Sequence, residues 1–308
     1  MNAFNPGTAT LPSTIPQYLE QLRRSLAGAD PALVQDALYD AEEYLRSELA
    51  ENPGKSEADV IAAVAGSYGA PDEVADIYRD TEIKVQTALR PPAPPQRKSA
   101  LGRFFGVIAE PRTYAALFYM LLSLATGLFY FFWVTVGVSM SLGLAVLIIG
   151  IPFVILYFGS VRVLSLVEGR IVEVMLGERM PRRPLYSTRG RPWAERIKEL
   201  FTDPRIWGTQ LYFLLMLPLG ILYFTLAVTG LSVSLSLIAS PIALLFGFGT
   251  GMSIDGNGLI LESEPWAWPL AIAAGVVILF GTLHLARAIG AMHGALAKHM
   301  LVKSAQYS

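Results

Sequence analysis

The sequence predicts an all-α chain in two parts, a small cytoplasmic helical domain followed by a polytopic α-helical membrane domain of two tandem two-crossing repeats. Only 16% of the 308 residues are charged, and the mean hydropathy is +0.45, whereas about 25% of residues are charged in an average soluble domain. The net charge is −8 over residues 1–90 and +7 over residues 91–308. Three stretches of 49, 49 and 22 residues contain no Asp, Glu, Lys or Arg, and a spanning helix needs about 20 apolar residues.

This composition excludes several classes of protein. A soluble enzyme or a disordered chain would need more charge and fewer apolar residues than the 53% found here. The absence of cysteine excludes a disulfide framework, a thiolate nucleophile and a cysteine-based metal site. Neither half carries the basic surface that nucleic acids require, so we expect no direct nucleic-acid binding.

The charges that flank the apolar stretches predict four crossings, with both termini in the cytoplasm. Residues 162–205 contain 10 Lys and Arg, whereas residues 250–265 contain three acidic residues and no basic ones. By the positive-inside rule the first segment is cytoplasmic and the second lies outside. Residues 231–249 are a fifth candidate span, which we interpret as a re-entrant half-helix because it contains Pro241 and because five crossings would reverse the charge rule. Four and five crossings both stay open on the sequence alone.

An internal repeat organises the membrane part. At an offset of 93 positions, residues 111–144 match residues 204–237 at 14 of 34 positions. The two repeats are expected at about 104–180 and 197–303, each crossing the membrane twice. Paired glycines allow helices to approach closely, and for the paired tyrosines we favour packing over ligand contact. The candidate packing positions are Gly127, Tyr130, Gly137, Pro152, Gly220, Tyr223, Gly230 and Pro241.

Helical patterns continue beyond the apolar stretches, over residues 162–180 and 287–303. Their candidates for relaying a signal across the inner interface are Arg162, Glu168, Arg170 and Arg287. A solvated or snorkelling pair at Glu168 and Arg170 is the simpler interpretation. The three histidines of the chain have no carboxylates at ligand spacing, so we predict no metal site and no cofactor.

Residues 15–90 have the pattern of an acidic domain of four short helices. Asp30-Pro31 predicts a helix start, and Ser56 to Asp59 has the form of a capping box. We expect residues 1–14 to be disordered. The composition of residues 91–103 predicts a proline-rich linker to the membrane domain.

The acidic charge of this domain has two interpretations. The domain either rests against the basic inner face of its own chain or offers an acidic surface to another protein. For the second case the candidate partner surface is Asp40, Glu42, Glu43 and Tyr44.

The motifs of residues 15–88 resemble the HAAS signalling domain. The matching residues are Tyr18-Leu19 with Leu22, Asp40 to Tyr44, Gly54 to Glu57, and Gly69-Ala70-Pro71 followed by Val74-Ala75. Where that family usually has Leu-Gly before its proline, this chain has Tyr68-Gly69, and Asn52-Pro53 lengthens its loop. The resemblance implies a small helical module on a bacterial membrane protein that works with a PadR-type transcription regulator.

Residues 104–303 resemble the sensor domain found ahead of histidine kinases in many bacteria. The first half matches at Tyr114, Gly127-Leu128-Phe129, Ile149 to Pro152 and Leu166-Val167-Glu168, and the second at Asp203 to Trp207 and Pro218-Leu219-Gly220. The resemblance implies membrane signalling by a duplicated two-crossing unit. It supplies no catalytic residues.

Together these observations predict a non-enzymatic signalling protein of the bacterial inner membrane. It would pass an envelope or lipid-borne signal to a cytoplasmic PadR-type regulator or kinase, because the chain shows neither a P-loop nor a kinase output region. The lipid bilayer is its other expected partner, and self-association into a homo-oligomer stays open. A transporter or transport accessory subunit is the alternative. Pro152 and Pro241 support it as helix interruptions, and the lack of ionisable residues at midplane depth opposes it.

Overall fold

The computed structural model describes residues 12–89, 99–144, 150–183, 202, 204–248, 253–254, 257–258 and 266–302. Most of the predicted disordered N-terminus and of the proline-rich linker lies outside these residues. The same holds for most of the acidic loop and for residues 184–201 of the basic loop. The predictions for those segments therefore stay predictions.

Four helices form the N-terminal domain: α1 (Ile15–Ser25), α2 (Pro31–Glu51), α3 (Glu57–Ser67) and α4 (Pro71–Leu89). The predicted helix starts are confirmed. Asp30 caps α2 by accepting a bond from the Ala32 amide at 2.9 Å, with Pro31 in the first turn. The Ser56 hydroxyl caps α3 by accepting a bond from the Asp59 amide at 3.2 Å. Because each cap satisfies an otherwise unpaired amide, it fixes where its helix begins.

The interior of this domain is a single apolar cluster with one buried phenol. Leucines at helical spacing on α1 and α2 pack against Val60, Ile61 and Val64 of α3. The Tyr18 hydroxyl donates to the Gly69 carbonyl at 2.7 Å, which ties α1 to the turn between α3 and α4. Gly69 has φ = 115°, a conformation that favours glycine. The turn and the buried phenol therefore fix each other.

The membrane domain begins with α5 (Ala100–Gly106) and a short 3₁₀ turn (Val107–Ala109). Four long helices follow: α6 (Pro111–Leu144), α7 (Gly150–Leu176), α8 (Pro204–Leu245) and α9 (Ala267–Leu301). All four are long and apolar enough to cross a membrane. Within the described ranges the only strands are β1 (Ser253–Ile254) and β2 (Asn257–Gly258), which pair antiparallel. The predicted all-α fold is confirmed, and four helices account for the apolar stretches.

The interpretation of residues 231–249 as a re-entrant half-helix is wrong. These residues up to Leu245 continue α8, which runs unbroken through Pro218 and the buried Pro241. Proline is tolerated in membrane helices because neighbouring groups compensate for the missing N–H bond. Beside Pro241, the Ser240 hydroxyl donates to the Ser236 carbonyl at 2.7 Å, within the same continuous helix.

Two further predictions for α7 differ from the structure, one for the role of Pro152 and one for the end of the helix. Pro152 lies exposed in the first turn of α7, where proline fits without breaking a helix, so it is neither a packing residue nor an interruption. The helical pattern expected to reach residue 180 ends at Leu176, because Gly177 takes φ = 75°. From Gly177 the chain turns back along α7 and packs Met180 against Gly169.

Helices α6 and α8 approach each other closely at two of the paired glycines. A Cβ added at Gly127 would overlap the Met216 carbonyl, and one added at Gly220 would overlap the Ser123 carbonyl. Gly137 and Gly230 likewise face Tyr157 of α7 and Thr282 of α9. The four paired glycines therefore do mark packing contacts, and each pair makes equivalent contacts in the two halves. Such reciprocity is what a duplicated unit would give, and the duplication itself stays a prediction.

Substituting Gly220 by alanine is expected to destabilise the bundle by about 1–3 kcal/mol, because the new methyl group would push α8 away from backbone atoms that cannot yield. The measurement is the free energy of unfolding of the detergent-solubilised protein. Gly159→Ala is the matched control, since a Cβ there meets nothing within 4 Å. Equal stability of the two variants would contradict close packing at Gly220.

Candidate functional site

Six polar and aromatic side chains meet inside the membrane bundle, in what we call the core cluster. They come from all four long helices, and each is at most 2% exposed. The members are Tyr119 and Tyr130 on α6, Glu168 on α7, Tyr212 and Tyr223 on α8, and His293 on α9.

Glu168 is the acceptor of this cluster. Its Oε1 accepts bonds from the Tyr119 hydroxyl at 2.9 Å and the Tyr212 hydroxyl at 3.0 Å. Its Oε2 accepts a third bond from the Tyr130 hydroxyl at 3.0 Å. A fully buried carboxylate is costly unless donors replace its hydration, and three phenols provide that replacement here.

His293 connects the same tyrosines from the other side. Its Nε2 lies 2.6 Å from the Tyr119 hydroxyl and 3.0 Å from the Tyr212 hydroxyl, and its Nδ1 lies 3.3 Å from the Tyr223 hydroxyl. One proton assignment satisfies every group. The phenols of Tyr119 and Tyr212 donate to Glu168, His293 Nε2–H donates to a phenol oxygen, and Tyr223 donates to Nδ1. The cluster is thus a closed network in which a proton or a polar ligand would change several bonds at once.

The spacing of the tyrosines explains why they converge. Tyr119 and Tyr130 are eleven residues apart, which is three helical turns, so they share one face of α6. Tyr212 and Tyr223 have the same spacing on α8. The repeat therefore predicted which tyrosines correspond, but the interpretation of Tyr130 and Tyr223 as packing residues missed their hydrogen bonds. The interpretation of Glu168 as a solvated partner of Arg170 is wrong, because Glu168 is fully buried and bonded to tyrosines.

A second centre, which we call the docking contact, joins the N-terminal domain to the membrane domain. Arg179, which follows α7, is 7% exposed and is surrounded by three buried carboxylates. Its guanidinium lies 3.0 Å from Asp36 of α2, 3.2 Å from Glu82 of α4 and 3.4 Å from Glu173 of α7. Arg170 also pairs with Glu173. A planar guanidinium with five donors can serve three carboxylates at once, which an ammonium group does less well.

Asp36 holds the polypeptide backbone as well as a side chain. Its Oδ1 accepts the Arg182 amide at 2.6 Å and the Arg183 amide at 2.7 Å, while Oδ2 accepts from Arg179. Burial raises the pKa of this carboxyl above its ordinary value, and the bonds from Arg183, Arg179 and Arg182 oppose that rise. The contact therefore carries a desolvation cost beside its attraction, as buried ion pairs do.

Further charge pairs surround the docking contact. Arg183 Nε lies 2.7 Å from Asp40 Oδ1, and Lys298 Nζ at the end of α9 lies 2.6 Å from Asp30 Oδ2. Ala32 of α2 is fully buried within the apolar cluster of the membrane domain. Of the two interpretations of the acidic domain, the structure shows the first, contact with basic residues of the same chain.

The predicted partner surface is only partly exposed. Asp40 accepts a bond from the Tyr78 hydroxyl at 2.8 Å in addition to its pairing with Arg183. Glu42 is 4% exposed and pairs with Arg46, so it cannot contact a partner as expected. Tyr44 stacks on Tyr68 at 4.6 Å inside the domain. Glu43 alone of the four residues is exposed.

The other predicted relay residues lie near the docking contact or beside α6. Arg162 lines a cavity of about 40 Å³ together with Gln35 of the N-terminal domain. Arg170 donates to the Pro181 carbonyl at 3.1 Å. Arg287 forms an exposed pair with Glu110 at 2.8 Å, ahead of α6. Arg162 and Arg170 therefore lie where a relay was expected, and Arg287 lies at a separate contact.

The two centres are linked along α7 and α9. Glu168 of the core cluster precedes Glu173 of the docking contact by five residues on α7. His293 of the core cluster precedes Lys298, the partner of Asp30, by the same five residues on α9. Five residues are about one and a half turns of a helix, so a rotation or shift of α7 or α9 would move its residues of both centres together.

The predicted site residues omit Tyr119, Tyr212 and His293 of the core cluster and Arg179 and Asp36 of the docking contact. His293 had a signal, because it lies in the helical pattern that continues beyond the last apolar stretch, as Glu168 lies in the pattern that continues beyond the first. No local pattern pointed to Arg179 or Asp36, which lie 143 positions apart. Among the residues that the structure describes, no group of three or more His, Asp and Glu side chains could hold a metal ion.

Comparison with known families agrees with this architecture. The HAAS family model, a protein-interaction domain, matches residues 17–76. The Sensor family model, described as Putative sensor, matches residues 119–301, which include the whole core cluster and Arg179. Neither family is an enzyme family. No curated protein and no solved structure shows a significant match to the chain. Because the second match covers more than half of the sequence, the chain belongs to the Sensor family, as a multi-pass membrane protein that carries an N-terminal HAAS domain.

Proposed function

We propose that the chain is a non-enzymatic sensor of the bacterial inner membrane that controls a cytoplasmic regulator through its N-terminal domain. The observation that carries this proposal is the docking contact. An interaction domain is held against a membrane domain by one buried arginine, and the two helices beside it also carry the core cluster. An output domain held in this way can be released by an event within the bundle.

The proposed mechanism has two states. In the first, Glu168 and His293 share the tyrosines, α7 and α9 are fixed, and the N-terminal domain is docked. A proton, lipid or small hydrophobic ligand that breaks these bonds would shift α7 and α9, separating Glu173 and Lys298 from their partners. A stimulus works only as far as it binds one state better than the other.

The orientation follows from charge. The N-terminal domain contacts the ends of α7 and α9, so both ends lie on the same side of the bundle, as four crossings require. Among the described residues, Arg179, Arg182, Arg183 and Lys298 lie on this side, which the positive-inside rule assigns to the cytoplasm. The N-terminal domain would then meet cytoplasmic partners such as a PadR-type regulator or a kinase.

A distance measurement tests the proposal. Because the chain lacks cysteine, Lys55→Cys and Val174→Cys can carry spin labels at exposed sites on the two domains. Pulsed EPR in lipid nanodiscs should give a narrow distribution for the docked protein. Adding Glu168→Gln should produce a second, longer population, because the core cluster is weakened at its acceptor. Tyr114→Phe, at an exposed phenol, is the control.

An unchanged distance distribution in the Glu168→Gln protein would contradict the proposed coupling between the core cluster and the docking contact.

The transport alternative gains one observation, since Glu168 and His293 are ionisable groups inside candidate spans, where coupling sites of transporters lie. Proteoliposomes that acidify with an applied gradient in the native protein, but not in Glu168→Gln, would favour transport.

A further inference from the structure

Residues 179–183, Arg-Met-Pro-Arg-Arg, lie outside the helices and against one face of α2. Three contacts join the backbone of this segment to that face. Asp36 Oδ1 accepts the amides of Arg182 and Arg183 at 2.6 and 2.7 Å, and Gln35 Nε2 donates to the Arg183 carbonyl at 2.8 Å. Bonds to backbone groups do not depend on the side chains of the bound segment, so they can hold peptides of varied sequence.

Two side chains of the segment are recognised in addition. The guanidinium of Arg179 bonds to Asp36 and to Glu82 of α4 at 3.0 and 3.2 Å. Arg183 Nε lies 2.7 Å from Asp40 Oδ1, which is an ion-pair distance, and the guanidinium lies 5.8 Å from the centre of the Tyr39 ring. Arg182 instead reaches towards Glu173 of the membrane domain at 3.7 Å. The N-terminal domain therefore recognises the side chains at the first and fifth positions of residues 179–183, and its other contacts are to the backbone of that segment.

We infer that the surface formed by Gln35, Asp36, Tyr39, Asp40 and Glu82 is a recognition site for a non-helical basic peptide with arginines four residues apart. The inference rests on the proposed function and names the chemistry of its partner. The partner regulator would present such a segment and take the place of residues 179–183. In the docked state the chain occupies the site with its own copy.

Because residues 179–183 of the same chain occupy the site, other basic peptides are excluded from it in the docked state. A segment joined to the same polypeptide acts at an effective concentration of about millimolar or higher, so a separate peptide of the same affinity competes poorly. Weakening the internal segment should therefore open the site, whereas weakening the site itself should remove binding altogether.

The test measures binding of a fluorescein-labelled Arg-Met-Pro-Arg-Arg peptide to the full-length protein in lipid nanodiscs, by fluorescence anisotropy. Arg179→Ala should bind the peptide about tenfold or more tightly than the native protein, since loss of a buried charged partner costs at least that factor. Arg183→Ala, a milder change at a half-exposed residue, should bind more tightly by a smaller factor. Adding Asp36→Asn to either variant should abolish the gain.

Two controls identify the site. Arg24→Ala removes an exposed arginine on α1 and should leave peptide affinity at the native value. A peptide with alanine at its first or fifth position should bind more weakly than one with alanine at its fourth. Arg183→Ala keeps the test valid if Arg179→Ala fails to fold, which circular dichroism will show.

Binding that does not rise in either arginine variant, or that survives Asp36→Asn, would overturn the inference. The spin-label experiment is independent of this result. Absence of peptide binding together with an intact EPR response removes the recognition site and leaves the sensor proposal in place. Peptide binding without an EPR response to Glu168→Gln would keep the recognition site and remove the proposed coupling to the core cluster.

Discussion

Replacing Arg179 by methionine is expected to release the N-terminal domain from the membrane domain. Methionine keeps an unbranched side chain of similar length but leaves Asp36, Glu82 and Glu173 buried without their shared cation. Removal of one partner from a buried ion pair costs about 3–5 kcal/mol, because the remaining charges keep their desolvation penalty. Such a cost exceeds what a solvated pair such as Arg183–Asp40 contributes, which is about 1 kcal/mol or less.

Thiol reactivity measures the release directly. Ala32 is fully buried where α2 meets the membrane domain, so a cysteine there should be protected while the domains are docked. In Ala32→Cys the maleimide reaction should be slow, and adding Arg179→Met should accelerate it by a factor of ten or more. Arg24→Met, an exposed arginine with one surface pair, is the matched control and should leave the rate unchanged.

A double substitution separates loss of attraction from unpaired charge. Asp36→Asn in the Arg179→Met background removes one of the buried uncompensated carboxylates, so it should restore part of the protection. Residues in one ion network couple by about 0.5–3 kcal/mol, and this partial rescue is that coupling. A reaction rate for Arg179→Met equal to the native rate would contradict the view that Arg179 holds the domains together.

Features that depend on neighbouring residues could be predicted from the sequence, whereas the contacts between distant residues could not. Asp30-Pro31 and Ser56 mark helix starts through side-chain bonds to amides two or three residues away, so a short pattern contains the whole interaction. The four paired glycines were found because they recur in the sequence at a fixed offset of 93 positions. For the two helix caps, the cause and its effect lie within one motif; for the glycines, the recurrence marks the positions but not the helices that they contact.

The docking contact has no such local cause. Asp36 sits on a helix that also buries leucines, and in sequence it looks like any acidic residue of a solvated face. Arg179 was assigned to a helix because its neighbours have helical spacing, yet Gly177 ends the helix before it. Pro241 misled in the opposite direction, because the rule that proline ends a helix comes from water, where no neighbouring helix compensates for the lost bond.

Replacing Glu168 by leucine is expected to have the largest effect of any change inside the bundle. Leucine fills most of the same volume but leaves the phenols of Tyr119, Tyr130 and Tyr212 without their acceptor. Each buried unsatisfied polar group costs about 1–3 kcal/mol, so the summed loss should be about 3 kcal/mol or more. Glu168→Gln keeps one acceptor oxygen and should cost about 1 kcal/mol.

Tyrosine substitutions test whether this cost comes from the network. Tyr130 bonds to Glu168 through its hydroxyl at 3.0 Å, so Tyr130→Phe should destabilise the native protein by about 1 kcal/mol or more. In the Glu168→Leu background the same change should cost little or become favourable, since the hydroxyl there has already lost its acceptor. Tyr114→Phe, at an exposed phenol on α6, should add the same small cost in both backgrounds.

The free energy of unfolding in mixed micelles gives all of these values from one assay. Strictly additive costs for Glu168→Leu and Tyr130→Phe would show that the two groups do not interact, and the core cluster would then be separate side chains that happen to lie close together. Strong coupling would instead make Glu168 the point where a change of protonation or ligand reaches α6, α7, α8 and α9 together. A network that one substitution can disrupt is also one that a bound proton can rearrange. The coupling free energy between Glu168 and Tyr130 therefore measures how strongly a change at one member of the cluster is passed on to the others.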